Sequence, residues 1–145
     1  MKVVLLIFLV CIVSSIGRGD IARKFDEWHD IPFSDEKARL DNAALQLRQD
    51  RGYIIYLVIY AGKTACVGEA QARGIRAKNH LVRKRHVNPQ QVIWIDGGYK
   101  DRVTTEVWVW PPKVGRPSVF QELNLKPSEV TLEQKCRIKC RACER

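Results

Sequence analysis

Residues 87–99, VNPQQVIWIDGGY, and residues 104–110, TTEVWVW, decide how this chain is read. Asn88-Pro89 stops whatever precedes it, because proline breaks a helix and pushes its predecessor into extended backbone. Residues 92–95 then form a short apolar run suited to a buried strand, and Gly97-Gly98 predicts a turn. Residues 103–110 set Val103, Thr105, Val107 and Val109 against Thr104, Glu106, Trp108 and Trp110, the alternation of a strand with two unlike faces. Upstream, residues 66–85 place Val67, Ala70, Gly74, Ala77 and Leu81 at helical spacing, with Ile75 and Val82 beside them. Arg73, Arg76, Lys78, Arg83, Lys84 and Arg85 fall on the other side, so the segment predicts an amphipathic helix with a solvated basic face.

Further back stands YIIYLVIY, residues 53–60, uncharged and rich in β-branched and aromatic side chains. It predicts a central strand buried on both faces and covered by helices, since such a run aggregates when exposed. Before it, Leu40, Ala44 and Leu47 recur at helical spacing and predict a helix over residues 35–49. Ser34 is the expected N-cap, with Asp35 and Glu36 in the first turn, where the helix dipole favours anions. Ile31-Pro32-Phe33 reads as the end of a first strand, preceded by a polar lead-in over residues 21–30. Pro111-Pro112 closes the domain. Residues 113–130 read as a linker with Pro117 and Pro127, and residues 131–145 as a short helical tail with a Thr131/Gln134 capping box. The expected fold is a two-layer α/β sandwich of order β-α-β-α-β-β, a mixed four-stranded sheet with two helices on one face.

The 145 residues allow one domain with a targeting segment and a tail. Residues 1–19 read as a signal peptide: Lys2, an apolar run over residues 3–13, then Ser15-Ile16-Gly17 or Gly17-Arg18-Gly19 for cleavage. The run is short against the ~20 residues of a membrane span, so no span is expected after cleavage; an uncleaved anchor is the alternative. Cys11 lacks a small residue before it and does not suit a lipobox. Residues 20–112 are the expected domain. The formal charge is +9, and loss of Lys2 and Arg18 leaves +7, since residues 1–19 hold no acid. That surplus suits polyanionic surroundings, among which an export signal disfavours nucleic acid. The expected location is the periplasm or cell envelope.

Without Cys11 the cysteines are Cys66, Cys136, Cys140 and Cys143. An even number in an oxidising compartment favours disulfides, within the tail or from the tail to Cys66. The C-x₃-C-x₂-C spacing of the last three also matches an iron–sulfur motif, which radical-SAM enzymes carry early in a far longer barrel. Zinc, with Cys66 or His86 as fourth ligand, is the other alternative. No cofactor or resident metal is expected. His29, His80 and His86 lie far apart and read as surface residues; with no nucleophile–base pair, no enzyme is expected. Trp94, Trp108 and Trp110 suit either a carbohydrate-stacking surface or core packing, Trp108 being the one expected beneath the helices.

From residue 28 to residue 110 the chain resembles the OmpA-like domain of bacterial envelopes. Ile31-Pro32-Phe33-Ser34 is similar to the end of that domain's first strand. Gly62-Lys63-Thr64-Ala65-Cys66-Val67-Gly68 keeps the glycines and threonine of its GHTDxxG-type turn. Leu81-Val82 and Val87-Asn88-Pro89 match the helix end and following turn, residues 92–99 the third strand and its exit, and Val107-Trp108-Val109 the last strand. The resemblance implies a peptidoglycan ligand, gripped through diaminopimelate by an aspartate and an arginine: carboxylate to ammonium, guanidinium to carboxylate. It places the arginine on Arg73, with Arg76 as alternative, and adds Gly62 and Thr64 from the turn. The aspartate falls on Ala65, and Thr104-Thr105-Glu106 replaces an Asn-Arg-Arg triplet, so part of the clamp is missing; Glu69 and Asp96 are the acids that could replace it. The expected function is a non-enzymatic envelope module with weakened or lost peptidoglycan binding. The alternatives are a scaffold reused for an envelope protein partner, or a redox or metal-binding protein built on the cysteine-rich tail.

Overall fold

β2 (Ile54–Ala61) organises the molecule, a computed structural model that describes residues 22–118 and 124–133. Every residue of β2 after Ile54 is buried. It pairs parallel with β4 (Val92–Tyr99) and antiparallel with β5 (Thr104–Trp110). β5 in turn pairs antiparallel with β1 (Arg23–Trp28), giving a mixed sheet of order β1-β5-β2-β4. Because successive strand residues point to opposite faces, Ile55, Leu57 and Ile59 enter the main core, while Tyr56, Val58 and Tyr60 belong to the other side. Two helices cover the first face. α1 (Phe33–Gln49) buries Leu40, Ala43, Ala44 and Leu47 there. α2 (Glu69–Asn79) adds Ala70 and Ala77, and a π-helical turn (His80–Lys84) continues it and adds Leu81. The architecture is a two-layer α+β sandwich, as the periodicity predicts. Among the described residues no helix is long and apolar enough to cross a membrane.

Several local expectations are corrected. The first strand is Arg23–Trp28, not a segment ending at Phe33. Its charged side chains suit an exposed edge, and only Trp28 is fully buried, with Phe25 packed against the core. Phe33 opens α1; Pro32 sits at the cap position and its carbonyl accepts from the amides of Asp35 and Glu36, while the Ser34 hydroxyl donates to Asp35 instead of capping. The second helix begins at Glu69, not Cys66, after β3 (Thr64–Cys66) and Gly68, whose φ of 76° is left-handed. Gly97-Gly98 is not the turn. Both lie inside β4, where the register shifts against β2, and a side chain at Gly97 would meet the Tyr60 ring at 2.5 Å. The tail does not start as a helix: β6 (Thr131–Glu133) pairs parallel with β3. Within the expected linker, the Leu125 amide donates to Tyr99 and the Asn124 side chain to Gly97, so this stretch is fastened to the end of β4. Residues 134–145 lie outside the described residues. Trp108 does not pack beneath the helices; it shares the opposite face with Tyr56 and meets Trp110 edge-on, whereas Trp94 is the one that packs against the helix-side core.

α2 lies so close to β4 that a Cβ at Gly74 would stand 2.7 Å from the Trp94 ring. In an exposed helix, Gly→Ala would stabilise by about 1 kcal/mol. Here Gly74→Ala is expected to destabilise by about 1–3 kcal/mol through overpacking, read by urea unfolding. In a Trp94→Val background the same change should be harmless or favourable.

Candidate functional site

The site is built from one face of α2 and what lies opposite it. Glu69 opens the helix, where its carboxylate complements the positive helix end. One oxygen accepts from the Cys66 amide at 3.3 Å; the other accepts from Arg73 Nε at 3.0 Å, an i,i+4 pair. Arg73 Nη2 also donates to Asp30 Oδ1 at 2.8 Å, so the guanidinium is held between two carboxylates. The three are unequal in exposure: the Glu69 side chain is 10% exposed, Arg73 16% and Asp30 73%. Burial of Arg73 opposes its charge, but the bonds and charges of Asp30 and Glu69 outweigh that and hold its pKa above the ordinary value.

One turn later Arg76 forms a buried ion pair with Glu36 of α1 and stacks its guanidinium over the Phe33 ring at 4.4 Å. Burial pushes the Glu36 carboxyl above its usual range, against the pull of Arg76 and Arg73. Arg76 Nε is buried with no hydrogen-bond partner. At the far end of the helix Asp41 of α1 receives both Arg85 and His80 Nε2. The Arg85 and His80 bonds hold the Asp41 carboxyl below its usual range. The expected solvated basic face is therefore corrected: Arg76 is buried and Arg73 nearly so, because α1 and the loop before it present acids to them. His80, expected at the surface, is also buried, edge-on to Phe33 and bonded to Asp41.

The resemblance-derived residues separate into two places. Arg73 and Arg76 sit in the ion-pair seam between the helices. Gly62 and Thr64 lie at the β2–β3 connection, Gly62 against Val103 and Thr64 opposite Thr131 of β6. Ala65, where the resemblance expects an aspartate, is 2% exposed. Asp96 binds the Gly98 amide of its own strand, so Glu69 is the acid that stands beside Arg73. Cys66 ends β3 opposite Glu133; Cys136, Cys140 and Cys143 lie outside the described residues. Asp30, Glu36 and Asp41 are site residues that the sequence reading does not find. Compared with family models, curated proteins and solved structures, the chain matches none.

Arg76→Met alone would strand a buried carboxylate and is expected to cost about 3–5 kcal/mol in urea unfolding. Glu36→Leu with Arg76→Met should recover most of that loss. The Asp41 carboxyl titrates lower in the folded chain than in the unfolded one, so its contribution is complete above the ordinary 3.8 and is lost as pH falls through the folded value. Thermal melts of Asp41→Asn should accordingly show a shallower loss of stability in acid than the wild type.

Proposed function

We propose that this chain is a non-enzymatic module of the cell envelope that binds the peptide stem of peptidoglycan, with Arg73 and Glu69 as its clamp. One observation carries the reading: Arg73 is shared between a nearly buried acid, Glu69, and a largely exposed one, Asp30. An exposed carboxylate gives up little when it leaves an ion pair. A ligand carboxylate can take the place of Asp30 on the guanidinium, in the bidentate geometry arginine favours. Glu69 stays fixed by the Cys66 amide and offers negative charge to the ligand's ammonium. The pair reproduces the acid-and-arginine chemistry implied by the resemblance to OmpA-like domains, with Glu69 serving where Ala65 has no carboxylate. Asp30 acts in the unliganded chain as a stand-in for the ligand's own carboxylate.

The cluster supplies charge and hydrogen bonds without a nucleophile beside a base, which suits binding better than turnover. The excess of Lys and Arg over Asp and Glu suits an anionic cell wall.

Co-sedimentation with diaminopimelate-type sacculi tests the reading. The wild type should bind, and Arg73→Ala should weaken binding about tenfold or more, the scale of a lost charged hydrogen bond. Asp30→Asn should strengthen it by a few-fold, about the scale of a surface ion pair. Binding that ignores Arg73→Ala, or no binding by any form, would overturn the proposal.

A further inference from the structure

A second feature lies on the outer side of the helix pair and has no part in the Arg73 clamp. A groove of about 1000 Å³ runs between α1 and the π-helical end of α2. Five cationic side chains line it, against a single carboxylate. That carboxylate, Asp41, is already taken by Arg85 and His80. Arg76 also borders the groove, but it is neutralised by Glu36 and its unpartnered Nε is buried. Lys37, Arg83 and Lys84 remain, and among the described residues none of them pairs with an acid. The π-helical turn inserts one residue into the helix at the groove's rim and ends on Arg83 and Lys84. Such insertions recur at functional sites, and they carry a cost in hydrogen-bond geometry that an ordinary helix end avoids.

The rest of the lining is half polar, from Ser34, Asn79 and His80, and half apolar. Phe33, Ala38 and Ile75 supply the apolar part; Phe33 lies beneath Lys37 and Arg76, and Ile75 is 41% exposed. A small inorganic anion or a nucleic-acid backbone would satisfy the cations and leave these apolar side chains wet. An amphiphile satisfies both: a phosphate among Lys37, Arg83 and Lys84, and the start of an acyl chain along Ala38 and Ile75. A space this large also suits a ligand well beyond the size of free phosphate. We infer that the groove binds the phosphate headgroup of an anionic lipid, so that the module sits against a membrane surface through the outer side of its helices.

The test uses the full chain and reads one ratio: partition onto phosphatidylcholine vesicles containing phosphatidylglycerol, relative to phosphatidylcholine alone. Each cation near an anionic surface is worth about fivefold. Arg83→Gln with Lys84→Gln should therefore lower the ratio about tenfold or more. Lys113→Gln with Arg116→Gln removes the same charge from exposed positions outside the groove and should change it less than about threefold. Ile75→Ser should lower overall partition while sparing the preference for the anionic lipid. All of these positions are exposed, and unchanged thermal melts will show that each variant is folded. Equal losses from the two double variants would reduce the effect to net charge and overturn the proposal. So would a ratio near one in the wild type, or saturable binding of inorganic phosphate or duplex DNA with no preference for the anionic vesicles.

Discussion

The buried ion pair between Glu36 and Arg76 is the constraint on which the helical layer depends. It joins α1 to α2 across 40 residues of sequence, in a place where neither charge can return to water without separating the helices. Such a pair contributes little net stability, because the gain of pairing is offset by desolvation of both partners. What it does is forbid alternatives: any slip of α2 along α1 leaves a buried charge alone. Gly74 against Trp94 fixes the same helix from its other side by allowing only a short distance to β4. Between these two contacts the rotation and depth of α2 are set, and with them the direction of Arg73.

That arrangement explains why two arginines three residues apart have different fates. Arg76 meets an acid that is itself buried, and the pair is structural. Arg73 meets one buried acid and one exposed acid, and the proposed clamp uses the exposed one as the replaceable partner. The same logic orders the far end of the helix, where Asp41 gathers Arg85 and His80 while the cations next in sequence, Arg83 and Lys84, are left facing outward. Charge on this helix is thus divided between buried pairs that hold the fold and cations that stay exposed.

The elements with strong periodicity were legible in the sequence. β5 differs by one residue at its start from the predicted strand, and α1 starts two residues early because Pro32 rather than Ser34 provides the entry. Elements whose reason is non-local were not legible. β1 carries four charges in six residues with no apolar alternation, and it becomes a strand only because β5 offers it a partner. The glycine pair of β4 has the local signature of a turn, yet Gly97 makes room for the Tyr60 ring and Gly98 takes a left-handed φ of 88° within the strand. β3 and β6 need each other across more than half of the domain. In the site, Glu69 and Arg73 stand at a spacing that can be read directly, four residues apart on one helix. Asp30 and Glu36 could not be read, since their partners lie 43 and 40 residues away, and only the packing of α1 on α2 brings them together.

The proposed clamp works only if Arg73 exchanges Asp30 for a ligand carboxylate while Glu69 stays in place. The most direct measurement is the side-chain NMR signal of Arg73 Nε during titration with a soluble muropeptide carrying diaminopimelate. Exchange at Arg73 should give a saturable shift of that signal, with a matching change at the Asp30 carboxyl and little change at the Arg76 guanidinium. A signal at Arg73 that does not move at saturating muropeptide, or one that moves only together with Arg76, would contradict it.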